Sequence, residues 1–118
     1  MADNRQYTAL EWVFKEINET LQESQRVLER YASDPQDVTQ LRFCQTLIHQ
    51  VYGSLKMVGF HGAAMLAEEI EELTQALLDN KISKPNEGLE VLMRAILQLP
   101  LYLEKIQHTK RDYPAIVL

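Results

Sequence analysis

Residues 49–59 of the chain read HQVYGSLKMVG, and this stretch decides the prediction of the fold. Gly53 stands inside a segment with helical periodicity, although glycine in a helix interior costs roughly 1 kcal/mol relative to alanine. His49 precedes it by one turn. Apolar residues recur around both at threes and fours, which predicts one helix with a continuous buried face: Leu41, Cys44, Ile48, Val51, Leu55 and Val58. His49 lies beside that face, so we expect its ring at the boundary of the core or outside it.

Three further segments carry the same periodicity. The first helix is predicted to begin after Thr8, because Thr8 and Glu11 have the spacing of a capping box. Asp34-Pro35 is predicted to stop this helix and to start the second one, since aspartate caps helices and proline suits the first helical position. Gly59 suits the end of the second helix, because a residue without Cβ enters the left-handed region cheaply.

Residues 60–62 then make a short connection, and the third helix carries its apolar stripe from Ala63 until residues 79–81 close it. The fourth helix opens at residues 83–86 and contains Pro100, where we expect a kink. Four amphipathic helices with short links predict an all-α fold, an antiparallel four-helix bundle that runs up-down-up-down. We expect residues 1–118 to form one domain. The apolar ending, residues 113–118, suggests a fragment of a longer protein.

Composition excludes several classes of function. A formal net charge of −5 without a block of basic residues disfavours nucleic acid and anionic membranes as partners. No apolar run approaches the ~20 residues that span a bilayer, and no signal peptide is visible, so we expect a cytoplasmic protein without membrane insertion. Cys44 is predicted to be a small core residue. Metal-ligand spacings and glycine-rich nucleotide loops are absent from the sequence, so we expect no metal and no cofactor.

His49, Gly53 and Lys56 share one stripe of the second helix. A neutral imidazole nitrogen is a competent nucleophile, and a cation can contact phosphate oxygens. The glycine leaves room for the active site of an incoming protein. These three residues are therefore candidates for phosphoryl transfer between proteins. The alternative is a surface histidine beside a glycine that is kept for close helix packing.

The stretch from His49 to Gly59 resembles the histidine phosphotransfer (HPt) motif, His-x-x-Lys-Gly with a second glycine six residues later. Gly53 and Gly59 match the two glycines, and residues 56–59 are similar to the basic-Met-Val-Gly ending found in chemotaxis-type kinases. Residues 63–73 resemble the family's following helix. The similarity covers nearly the whole chain. Residues 7–13, 41–44 and 95–100 resemble the N-terminal region of ChpA/PilL-type kinases of the type IV pilus chemosensory (Pil-Chp) system, and the scaffold FimL is similar in the same region.

The resemblance implies that residues 1–118 are an HPt-like module from the N-terminal part of a longer multidomain kinase, in a two-component phosphorelay that controls twitching motility. His49 would be the phosphoacceptor, Gly53 the clearance residue and Lys56 an auxiliary phosphate contact. The partners would be the kinase core of the same protein and a CheY-like response regulator, whose receiver-domain aspartate exchanges the phosphoryl group. Tyr52 departs from the family, since it stands where the motif has lysine. The alternative is therefore a non-phosphorylated HPt-like module for docking or dimerisation, and no catalytic activity of its own is expected in either case.

The remaining candidates have simpler explanations. His61 is predicted in the loop between the second and third helices, and His108 near the end of the last helix, where a cation favours the helix dipole. The acidic residues 68–72 are most simply a solvated helix face. Trp12 lies off the main apolar stripe, where it caps the bundle edge or meets another domain.

Overall fold

A computed structural model describes the backbone of residues 2–109 and the side chains of residues 10–107. This part of the chain forms four helices and no strand: α1 (Ala2–Ser33), α2 (Val38–Met57), α3 (His61–Leu78) and α4 (Pro85–Thr109). The predicted all-α class and the four helices are confirmed. No helix within the described part is both long and apolar enough to cross a membrane.

The helices pack in a ring, in which α1 and α3 each contact both α2 and α4. Contacts between individual residues show that α2 is antiparallel to α1, because the Cys44 thiol reaches the Ser24 carbonyl and the Phe60 ring, just after α2, packs at a tilt against the Phe14 ring. That residues 1–118 are one module of a longer protein stays a prediction, as does the HPt-like arrangement of the bundle.

The predicted apolar stripes form the core. Nearly every member is buried or packs against the buried cluster. The largest fully buried side chains come from all four helices: Leu21, Val27, Leu28, Leu41, Ile48, Leu55, Ile70, Leu92, Ile96, Leu99, Leu103 and Ile106. The buried hydroxyls of Ser24 and Thr74 donate to carbonyls of their own helices, so they add no unpaired polar group. The stripe of α2 thereby fixes which of its residues face outward.

The predicted start of α1 is wrong. The helix begins at Ala2, so Thr8 lies inside it and Thr8–Glu11 is no capping box. Neither glycine nor proline interrupts residues 2–9, so the backbone can continue in helical conformation through this segment.

The predicted start of α2 is also wrong. Asp34 donates its backbone N–H to the carbonyls of Arg30 and Tyr31, and thus completes α1 instead of capping α2. Asp37 N–H donates to the Asp34 carbonyl at 3.0 Å, which closes a turn with Pro35 in its second position. The turn uses residues 34–37, and α2 therefore starts at Val38.

Helices α2 and α3 end with the same backbone hydrogen-bond pattern. Gly59, at φ +84°, donates to the Lys56 carbonyl, and Phe60 donates to the Leu55 carbonyl at 3.0 Å. This is the Schellman pattern, and the predicted role of Gly59 is confirmed. Asn80, at φ +55°, repeats the pattern after α3. His61 is the first residue of α3, so its predicted place in the loop is wrong. α4 continues through Pro100.

Candidate functional site

His49 projects from the outer side of α2, where its side chain is 66% exposed. This exposure confirms the position predicted from the core stripe. Its Nδ1 atom lies 2.8 Å from both carboxylate oxygens of Glu71 on α3. The Glu71 side chain is only 25% exposed, so the contact is partly shielded from water. The pair joins two helices across the surface of the bundle.

This contact determines which nitrogen of the His49 imidazole carries the proton. An ionised carboxylate can only accept hydrogen bonds, so Nδ1 is the donating nitrogen. The lone pair of the neutral ring is then on Nε2, the atom on the far side from Glu71. A carboxylate that orients an imidazole in this way selects the tautomer of a nucleophile or a general base. The arrangement is therefore competent for attack by Nε2 on an electrophile brought by another molecule.

Gly53 lies one turn after His49 on the same outer face. A Cβ atom added to this glycine would meet no atom within 4 Å apart from its immediate chain surroundings. The space over the helix is open at this point, and no neighbouring helix requires the glycine. The alternative of close helix packing at Gly53 is therefore contradicted. What remains is a gap in the side-chain layer of α2.

The ammonium group of Lys56 contacts the Tyr52 ring. Its Nζ atom lies 5.6 Å from the centroid of the Tyr52 ring, within the range of a cation–π contact. The Tyr52 ring in turn lies 6.1 Å from the His49 ring. The three side chains thus form a row, in which Tyr52 separates the imidazole from the ammonium group. The residue that replaces the motif lysine occupies the space between the two predicted site residues.

A second polar pair lies one turn before His49. Gln45 donates from Nε2 to Oε1 of Gln75 at 2.6 Å, and Gln75 donates to Asp79 at 3.0 Å. Residue numbers rise along α2 from Gln45 to His49 while they fall along α3 from Gln75 to Glu71, so these two helices are antiparallel. We call the exposed surface that these two helices share the α2–α3 face.

Sequence reasoning misses Glu71, because periodicity alone predicts a solvated helix face for residues 68–72. The signal was present in the helix ends. The chain reverses direction at residues 58–60, so α2 and α3 are antiparallel. Successive residues along α2 therefore lie opposite residues of α3 with decreasing numbers. That register sets Glu71 beside His49, whereas Glu68, Glu69 and Glu72 are exposed as predicted.

The other predicted residues lie elsewhere. Cys44 is fully buried, and burial raises the pKa of its thiol to about 12. Trp12 is 75% exposed on the solvent side of α1. The prediction for the His108 side chain lies outside the described residues. Among those that are described, no group of three or more histidine, cysteine, aspartate or glutamate side chains could hold a metal ion.

Comparison with known proteins relates the chain to FimL. The model of the FimL C-terminal domain family matches residues 5–118. The scaffold protein FimL of Pseudomonas aeruginosa is 26% identical over 112 residues, which cover 94% of this chain and 20% of the relative. The chain thus spans about a fifth of the length of the curated relative that it matches. No solved structure matches the chain.

Proposed function

Because the chain belongs to the FimL C-terminal domain family, we propose that it is a protein-docking module of a signalling scaffold. In this proposal the module acts in the cytoplasm, in the type IV pilus chemosensory system, and it needs no catalytic activity of its own. The relative from Pseudomonas aeruginosa is a scaffold protein, which supports the proposal. The resemblance to HPt domains and to ChpA/PilL-type kinases stays a prediction.

The observation that carries the proposal is the open space over Gly53. A glycine in the interior of a helix lowers stability, and no contact inside this chain requires that the side chain at position 53 be absent. A residue that costs stability without an internal benefit points to a requirement from outside the chain. Clearance for the surface of another protein is such a requirement. The docking site is therefore centred on Gly53.

The side chains around the gap suit protein contact. Met57 follows Gly53 by one turn and is 86% exposed, although it is apolar. Methionine is flexible and polarizable, and it is common on surfaces that bind other proteins. His49 and Lys56 add polar groups at the edge of the same surface. An apolar centre with a polar rim is the usual composition of an interface.

Replacement of Gly53 by tryptophan in the cell tests the docking proposal. A Cβ at Gly53 meets no atom within 4 Å and the position is exposed, so we expect the tryptophan side chain to project from the surface, with normal folding by circular dichroism and loss of twitching motility. Gly53→Ala is the matched control and should keep motility. Full motility in a folded Gly53→Trp strain would refute the proposal.

Phosphotransfer is the second candidate, and the His49–Glu71 geometry favours it. Nε2 would attack the γ-phosphorus of ATP held by a kinase core, so that an N–P bond forms while ADP leaves. The phosphoryl group would then pass to an aspartate of a CheY-like receiver domain. Lys56 would contact the oxygens of the phosphoryl group on His49 only after it leaves the Tyr52 ring. Tyr52 thus weighs against this candidate, because it engages the cation that the phosphoryl group needs.

His49→Gln separates the two candidates. Glutamine removes the nucleophile but keeps a polar side chain of similar length. Docking alone predicts normal motility in this variant, and no acid-labile phosphate on the wild-type chain after incubation with the cognate kinase core and ATP. Labelling of wild type that disappears in His49→Gln would establish phosphotransfer instead.

A further inference from the structure

The charge on the α2–α3 face is divided between its two helices. Helix α2 contains no acidic residue, and its outward positions Arg42, His49 and Lys56 are seven residues apart and exposed. Helix α3 contains four glutamates and neither lysine nor arginine. A chain with a net charge of −5 therefore presents one basic helix directly beside an acidic one.

Helix α3 together with its C-cap residue Asp79 repeats the spacing of the basic helix. Met65, Glu72 and Asp79 are also seven residues apart, and all three are exposed. Seven residues correspond to about 10.5 Å of helix. Two helices with the same spacing and opposite charge can pair along their length. Within one molecule they lie side by side, so their outward groups do not face each other.

We propose that the α2–α3 face binds a second copy of the chain across a two-fold axis. This inference rests on the proposed docking function and names the partner of the same face. The axis runs parallel to the two helices, outside the molecule and above the line along which His49 of α2 meets Glu71 of α3. A two-fold rotation about this axis lays α2 of each copy along α3 of the other, so the same surface serves on both sides.

The register of this arrangement follows from the antiparallel pairing of α2 with α3. Rotation about an axis parallel to the helices keeps each residue at its own level, so Arg42 of one copy faces Asp79 of the other. Lys56 of one copy lies at the level of Met65 of the other, one helical turn before Glu69. Each of these contacts occurs twice because of the symmetry. The exposed methionines, Met57 at 86% and Met65 at 54%, supply apolar area on the same face.

Charge reversal tests the proposal on the full chain. One protein carries Arg42→Glu and Lys56→Glu, which reverses the basic helix. A second carries Glu72→Lys and Asp79→Lys, which reverses the acidic helix. We expect wild type to sediment as a dimer, and the dissociation constant to rise at least about tenfold in each reversed protein. The control, Glu16→Lys with Glu19→Lys on α1, changes the net charge by the same amount and sign as the second reversed protein and should dimerise like wild type.

The decisive measurement is an equimolar mixture of the two reversed proteins. In a mixed dimer one set of contacts is reversed on both sides and the other set is native, so association should return to the wild-type level. This result also shows that both variants are folded. A monomeric wild type, reversed proteins that dimerise normally, or a mixture that stays monomeric would each overturn the proposal. Loss of motility in Gly53→Trp alongside a monomeric wild type would leave the docking proposal standing.

Discussion

Nδ1 of His49 lies 2.8 Å from both carboxylate oxygens of Glu71, and this contact ties α2 to α3 at the surface of the bundle. Gln45 and Gln75 form a second tie one turn away. Both pairs involve at least one exposed side chain, so they contribute less to stability than the apolar core beneath them. Their role is to set the position of the imidazole and the register of the two helices.

A double-mutant cycle should therefore give a small coupling between His49 and Glu71. We expect the interaction to add about 0.2–1 kcal/mol to the free energy of unfolding, because the His49 side chain is 66% exposed. Urea unfolding of His49→Ala, Glu71→Ala, the double variant and wild type measures this energy. The change in helix propensity that each alanine causes on its own cancels from the coupling energy in this cycle. A coupling of zero would mean that the pair does not persist in solution.

Replacement of Gly53 by alanine should stabilise the chain. Alanine gains about 0.5–1 kcal/mol over glycine in a helix interior, and its methyl group would meet no atom within 4 Å. Thermal unfolding should show a higher midpoint temperature. The docking proposal depends on this result, since it assumes that the glycine has no structural benefit.

Gly88 provides the matched comparison, because it is also helical. A Cβ atom there would lie 3.1 Å from Cγ2 of Ile82 and 3.2 Å from Cδ2 of Leu77. This crowding offsets the gain in helix propensity. Gly88→Ala should therefore raise the free energy of unfolding less than Gly53→Ala does. Equal stabilisation by the two substitutions would contradict the structural difference between the two glycines.

The sequence predicted those features that depend on residues close together in the chain. The apolar stripe of α2 placed Ile48 inside and His49 outside, because a period of 3.6 residues assigns each position to one face. Gly59 was recognised as a helix end for an equally local reason. Local patterns also misled, since Thr8 and Glu11 have the spacing of a capping box but lie within a longer helix.

The site itself depends on contacts between helices. Glu71 lies twenty-two residues from His49, and its role follows only from the register of α3 against α2. The cation–π contact of Lys56 with Tyr52 depends on side-chain rotamers, which periodicity does not specify. Sequence reasoning therefore found the candidate nucleophile and its clearance, but missed the group that orients the imidazole.

The two Schellman ends predict substitutions of opposite sign. Asn80 has φ +55°, a conformation that glycine adopts at lower cost, so Asn80→Gly should raise the free energy of unfolding by up to about 1 kcal/mol. Gly59 has φ +84°, so Gly59→Ala should lower it by about 1–2 kcal/mol. Chemical denaturation of both variants checks the signs. A Cβ at Gly59 meets nothing within 4 Å, so any loss there comes from the backbone alone.

Cys44 should make stability depend on alkaline pH. Its side chain is fully buried and reaches the Ser24 carbonyl, and burial raises the pKa of the thiol from 9.0 to about 12. Between these two values the unfolded chain loses the proton while the folded chain keeps it, so stability falls as pH rises through this window. One unit above the unfolded pKa, the loss is about 1.4 kcal/mol. Below that pKa both states hold the proton, and the thiol makes no pH-dependent contribution.

Cys44→Ala isolates this effect from the other groups that titrate in the same range. The variant has a cavity at every pH and is less stable than wild type near about pH 8, but its deficit should shrink by about 1.4 kcal/mol near about pH 10. Urea unfolding of both proteins at the two pH values measures the difference. A deficit that stays constant would show that the thiol ionises as easily in the folded chain as in the unfolded one, which its burial between α1 and α2 does not allow.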